Sequence, residues 1–239
     1  MSGDERRGWP RDPKVLPPDL AAAVALGGEM GRRFAEFDWT AHPLGPPQSW
    51  PAEMRSVVAM VLTSSFPIVL WLDTEQLFLI YNDAYIPILA DRHPEALGQR
   101  GQYAWWDVWG PVEPMLAGVI ETGRATWSRD LMLPILTAGR RRERFFTFTY
   151  SPLVGADGAT FGIICPSYET TDRVLSERRM KLLNGVASAV LDGNTIDDAV
   201  QAAVAVCEEQ SADVPFLAAY VGDAESENVT LRAATPSVR

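Results

Sequence analysis

Cysteine and histidine are scarce in this chain. It has two of each in 239 residues: Cys165 and Cys207, His42 and His93. The cysteines stand at no metal-ligand spacing, so no disulfide framework or zinc site is expected, and a reducing cytoplasmic setting suits the chain. Basic charge is also in deficit: 21 Lys and Arg against 31 Asp and Glu leave a net charge of −10. A nucleic-acid surface needs clustered cations, so that class of partner is excluded. Long apolar runs are missing too. The stretch from Val57 to Leu72 is interrupted by Thr63, Ser64, Ser65 and Pro67, and it falls short of the ~20 residues a membrane span needs. The run Leu20–Leu26 lacks the basic flank of a secretory leader. No membrane partner is expected. Paired acid and base, a glycine-rich phosphate loop and a nucleophile beside a histidine are all missing, and Gly155-Ala-Asp-Gly158 reads as a turn. These residues are therefore expected to carry no catalysis.

What is present is a globular composition, 47% hydrophobic and 22% charged, enough for a sizeable core. Residues 1–19, rich in proline and charge, read as a flexible N-terminus. Residues 20–65 read as a helical extension. A helix is expected over about Leu20–Phe37, then an extended segment pinned by Trp39 and Trp50. A second helix follows to about Leu62, with Ser49 as its N-cap and Pro51 just inside. Two short strands, Ile68–Leu72 and Leu77–Tyr81, flank a turn, and Asn82 or Asp83 is placed to cap a following helix. A helix over Pro111–Gly123, closed by its glycine, groups Met115, Leu116, Val119 and Ile120. Three strands come next: Ala125–Leu133, Arg144–Val154 with apolar and polar positions alternating, and Ala159–Tyr168 after an Asp-Gly turn. From Thr171 to about Leu191 the pattern is a charged helix with a narrow stripe of Leu175, Leu182, Val186 and Ala189 or Val190, the mark of a helix that pairs with another. Thr195 caps a last helix, and two strand-like segments follow, Phe216–Val221 and Val229–Ala234.

The order from Phe66 to Arg173 (strand, strand, helical cluster, three strands, exit helix) resembles a PAS domain. The segments Phe37-Asp-Trp39, Pro43-Leu-Gly-Pro-Pro-Gln-Ser-Trp-Pro51, Tyr81-Asn-Asp-Ala-Tyr85 and Phe146-Thr-Phe-Thr-Tyr-Ser-Pro152 are similar to one bacterial subgroup. Such domains sit at the N-terminus of multidomain sensor histidine kinases and of related regulatory serine phosphatases. Glu169-Thr-Thr-Asp-Arg173 resembles the Asp-Ile-Thr type of exit motif, with Thr170 where an aliphatic residue is usual. Residues 195–239 resemble the beginning of a GAF domain. The resemblance implies an α+β fold. Its five-stranded antiparallel PAS-like sheet would span residues 66–170, with flanking helices, the N-terminal extension, a signalling helix at 171–194 and a truncated GAF-like start at 195–239.

The implied role is sensory. The region of a cytoplasmic bacterial protein, a histidine kinase of a two-component system, would detect a small ligand or a partner and relay it through a dimeric helix. The alternative is a ligand-free dimerisation and docking module that regulates a serine phosphatase. In either case the kinase or phosphatase domain lies downstream in the same chain. Candidate ligand-pocket residues are Trp71, Tyr81, Tyr85, Trp105, Trp109, Met115, Trp127, Phe146, Phe148, Tyr150 and Cys165. Strand members of one parity would face the cavity of such a fold and take a small apolar or aromatic ligand; the other reading is a filled aromatic core. Glu169, Thr171, Asp172, Arg173, Leu175 and Leu182 are the candidate relay, with Thr171 capping the helix. The cofactor is unknown. The long helix lacks the histidine that haem-binding relatives carry, and Cys165, beside Pro166 in a strand, stands outside any photoactive flavin motif. His93 and the run Arg140-Arg-Arg-Glu-Arg144 read as solvated loop residues.

Overall fold

The computed structural model describes residues 16–222 and 229–236. The flexible N-terminus expected for residues 1–19 thus falls largely outside the described residues. Contacts divide the chain into two compact units, one ending at residue 171 and one beginning at residue 172.

The first unit opens with α1 (Pro18–Leu26), α2 (Gly28–Glu36) and α3 (Ala52–Thr63). The single helix expected over Leu20–Phe37 is split because Gly28 takes φ 61°, a left-handed conformation that stops the first helix. The N-terminus of α2 is then satisfied from far away: Asp83 accepts from Glu29 N (2.9 Å) and Met30 N (2.7 Å). Asp83 therefore does not cap the helix that follows it. Asn82 does not either. Buried with no exposure, it accepts from Ile68 N (3.1 Å) and donates to the carbonyls of Ser64 (2.8 Å) and Phe66 (2.7 Å), fixing the corner between α3 and the sheet. Trp39 and Trp50 pin the intervening segment, their indoles donating to Phe34 O (2.9 Å) and Leu44 O (2.8 Å). Ser49 caps nothing. It lies in a short 3-10 turn, with its hydroxyl on Pro46 O, and Pro51 occupies the position before α3.

The sheet comprises β1 (Ile68–Leu72), β2 (Phe78–Tyr81), β3 (Thr126–Thr137), β4 (Arg140–Val154) and β5 (Thr160–Glu169). Its order is β2-β1-β5-β4-β3, with every pair antiparallel. Between β2 and β3 lie α4 (Ile86–Leu89), α5 (Gly101–Ala104) and α6 (Trp109–Thr122), the last closed by Gly123 at φ 64°. Helices α4 to α6 cover one face of the sheet, and α3 packs against β1 and β2. The run Arg140–Arg144 is not a loop. It is the first part of β4, entered through a tight turn at Ala138 and Gly139.

The second unit contains α7, which runs from Thr171 at the unit boundary to Asp192, α8 (Ile196–Glu209), and the hairpin of β6 (Ala218–Gly222) and β7 (Val229–Ala234). Thr195 and Asp198 form a capping box at the start of α8, each accepting the other's backbone N–H. Helix α7 has no fully buried residue. The expected stripe of Leu175, Leu182 and Val186 is half-buried, whereas Met180, Leu183, Val190 and Leu191 are exposed. The close approach of α8, whose Val206 leaves no room for a β-carbon at Gly185, accounts for the covered side.

Candidate ligand cavity and exit latch

Alternation along β4 turns Phe146, Phe148 and Tyr150 toward the helices, and the pairing register puts Cys165 and Ser167 of β5 on the same side. With Trp71, Tyr85, Ile88, Trp105, Val108, Val112, Leu133 and Ile135, they enclose a cavity of about 30 Å³. That is room for about one water. The walls are apolar with a few polar points. The indole N–H groups of Trp71 and Trp105 are buried and have no partner. Tyr85 hydrogen-bonds Ser167, whose hydroxyl also lies 3.2 Å from Cys165 Sγ. Burial pushes the Cys165 thiol up to about 12, against a smaller opposing effect of Ser167, so it stays protonated and unreactive. Burial likewise raises the phenols of Tyr85 and Tyr150.

Seven of the eleven pocket candidates line this cavity: Trp71, Tyr85, Trp105, Phe146, Phe148, Tyr150 and Cys165. Four do not. Tyr81 is buried with its hydroxyl 3.0 Å from His93 Nδ1, Trp109 packs beside Trp71 with ring centroids 6.4 Å apart, and Met115 is half-buried against the core. Trp127 lies on the opposite face of the sheet and is 68% exposed. A β-bulge explains this. The β3–β4 register slips between Ser128 and Leu131, with Asp130 at φ 50°, so Trp127 faces outward while Leu131 and Leu133, of the same parity, face inward. Leu133 and Ser167 were legible as inward positions by alternation; Ile135 lies past the expected end of its strand, and Ile88, Val108 and Val112 carry no comparable signal.

One wall is held by Arg92. Its guanidinium lies 4.8 Å above the Trp105 ring and bonds Ala104 O (2.8 Å) and Asp107 (2.6 Å), and the same Asp107 oxygen accepts from Leu136 N (2.7 Å). His93 is no solvated loop residue, since Nε2 lies 3.0 Å from Glu29. His42 bonds Gly98 O through Nε2 (2.8 Å) and accepts from Leu44 N at Nδ1 (3.2 Å). Desolvation lowers its pKa, only partly offset by the Gly98 carbonyl, so it is held neutral. Among the described residues no cluster of three metal-binding side chains occurs, and no helix is long and apolar enough to cross a membrane.

At the end of β5, Glu169 is gripped by Arg144 through two bonds, Nε to Oε1 (3.0 Å) and Nη2 to Oε2 (2.5 Å). The same guanidinium donates to the carbonyls of Ile88 (2.9 Å) and Pro87 (3.1 Å) in α4. Thr171 donates to Glu169 Oε1 (2.7 Å) and accepts from Phe145 N (3.0 Å). Its hydroxyl is thus spent on β4 and Glu169, not on capping α7. Burial alone would raise the Glu169 carboxyl, but Arg144 and Thr171 outweigh it and hold its pKa below the usual range. Arg173 pairs with Glu177 at 2.7 Å along α7, and Asp172 lies exposed in the first turn. Thr170 is buried, and its hydroxyl has no partner.

Residues 62–175 match a family model described as the PAS fold. Among solved structures, the chain is similar to the PAS domain of BvgS from Bordetella pertussis: 17% identity, 56% of this chain and 98% of that one covered, TM-score 0.40. It is also similar to the LOV protein of Rhodobacter sphaeroides: 12% identity, 68% and 94% covered, TM-score 0.41. A third is phage VqmA, from its complex with DPO: 19% identity, 62% and 70% covered, TM-score 0.39. No curated protein matches the chain. Five antiparallel strands, the helical cluster on one face and the family match over the same stretch make residues 62–175 a PAS domain, a sensory module of signal transduction.

Proposed function

We propose that the chain is the sensory region of a cytoplasmic bacterial signalling protein, a sensor histidine kinase, in which a change at the cavity is relayed into α7. The observation that carries this reading is the position of Arg144. One guanidinium holds both the carbonyls of α4, whose Ile88 lines the cavity, and the Glu169 carboxylate that precedes α7. A shift of α4 strains or frees the exit directly, without passing through the whole sheet. The relay works between two copies, with α7 as the element that pairs and with the GAF-like start at 195–239 and the kinase domain downstream. The input is a small flat molecule bearing a hydrogen-bond acceptor, matched to the unpartnered indoles of Trp71 and Trp105. Its entry requires the Trp105 wall, clasped by Arg92, to move.

A second reading rests on the cavity's size. At about 30 Å³ it is close to filled, and a filled core suits a docking and dimerisation module that regulates a serine phosphatase. Native followed by denaturing mass spectrometry of the purified chain separates the two. A mass released on denaturation supports ligand sensing; bare polypeptide in the native ions supports docking.

A further inference from the structure

Away from the cavity and the exit latch, we infer that the N-terminal segment Arg6–Lys14 docks, within the same molecule, into an acidic groove on the helical extension. The groove consists of two adjoining hollows. One, of about 450 Å³, lies at the end of α2 and takes in Leu16, Glu36, Phe37 and Asp38. The other, of about 270 Å³, lies between α2 and the chain joining α4 to α5, and takes in Arg33, Glu36, Phe37 and Glu95. Glu36 and Phe37 border both hollows, so an extended chain can run from one into the other. An occupant of the smaller hollow touches the extension and the sheet domain together. Beside it, His93 already joins Glu29 of α2 to Tyr81 of β2, at 3.0 Å on each side. A docked segment is a second tie across the same junction.

Chain connectivity and charge select the occupant. Leu16, the first of the described residues, is itself part of the wall of the larger hollow. The residues before it therefore start at the groove. A segment tethered so closely meets its site at an effective concentration on the order of millimolar, so a weak intrinsic affinity is enough to fill it. Nine extended residues reach roughly 30 Å, a length that spans two hollows of this volume. The segment Arg6-Arg-Gly-Trp-Pro-Arg-Asp-Pro-Lys14 carries four cations against Asp12 alone, within a chain of net charge −10. The groove carries the opposite balance: Glu36, Asp38 and Glu95 against Arg33, whose guanidinium is paired with Glu29 at 2.7 Å. Opposite fields draw the two together. Trp9 supplies an apolar anchor for the Phe37 ridge, and Pro10 and Pro13 reduce the entropy lost on docking.

The test is the rate at which an arginine-specific protease cuts the full chain after Arg7, followed by mass spectrometry over a range of protein concentrations. The groove variant is Glu36→Lys/Glu95→Lys, and the segment variant is Arg11→Glu/Lys14→Glu. Glu113→Lys, exposed on α6 and outside the groove, is the control for charge. Glu36 and Glu95 are exposed, so circular dichroism of the groove variant should match the wild type. The segment variant leaves the groove itself untouched and reads the same contact from the other side. The expected result is cleavage at least about tenfold faster in both double variants than in the wild type, at every concentration, with Glu113→Lys unchanged. Equal rates in the wild type and both double variants overturn the proposal. An equal rise in Glu113→Lys also overturns it, since overall charge then sets the rate. Wild-type protection that fades on dilution overturns docking within one molecule and assigns the groove to the segment of a second copy.

Discussion

The two halves of the sheet differ in how they are closed. β1 and β2 are buried on both faces, by α4 to α6 on one side and by the N-terminal extension on the other; across β5, β4 and β3 the outer face opens step by step, from Gly162 and Leu153, which are buried, to Tyr168 and Trp127, which are exposed. The sequence pattern follows this division. Ile68-Val-Leu-Trp-Leu72 is apolar without interruption, whereas Phe146-Thr-Phe-Thr-Tyr150 alternates. The doubly covered half anchors the fold, and the half whose outer face opens carries most of the cavity wall and the exit latch. In this protein the extension is structural cover for one half of the sheet, not an appendage to it.

The comparison breaks most severely at Asn82. Replacing it with alanine strands the carbonyls of Ser64 and Phe66 and the N–H of Ile68 at the junction of α3 and β1. A loss of roughly 3 kcal/mol or more is expected in chemical denaturation. Asp83→Ala removes only the distant cap of α2 and should cost about 1–2 kcal/mol. Hydrogen exchange should then rise first in α2, and uniform loosening would mean that the cover is not a separable layer.

Acidification should separate the halves further. His42, in the covering segment, is held neutral, so the unfolded chain takes up its proton first and stability falls as the pH drops below about 6.5, the ordinary value. Glu169, at the exit, has a lowered pKa. Its contribution is intact above the ordinary value of 4.5 and is lost only as the pH falls below it. Unfolding free energy measured across pH should therefore begin to fall below about 6.5 in the wild type but not in His42→Gln, and the Glu169 contribution should be lost only below 4.5. The smallest expected effect has the opposite sign. Thr170→Val removes a buried hydroxyl that has no partner and should stabilise the protein by about 1 kcal/mol.

Much of this arrangement was legible in the residues. Alternation located β4, the Asp-Gly turn located β5, Gly123 marked the end of α6, and Thr195 marked the start of α8. What escaped notice depends on long-range or local geometry that spacing does not encode. Asp83 reads as a local cap but serves a helix 54 positions upstream. Trp127 reads as inward-facing until the bulge after Ser128 shifts the register. Arg144 sits in a run of charged residues and looks solvated, and only folding brings its guanidinium against α4 and Glu169 together.

The central claim is that Arg144 joins the cavity wall to the exit helix. The direct measurement is hydrogen exchange on Arg144→Gln beside the wild type. The account predicts that amides at the start of α7, residues 171–177, exchange at least about tenfold faster, while those of β1 and β2 keep their rates. Unchanged exchange at 171–177 would contradict it.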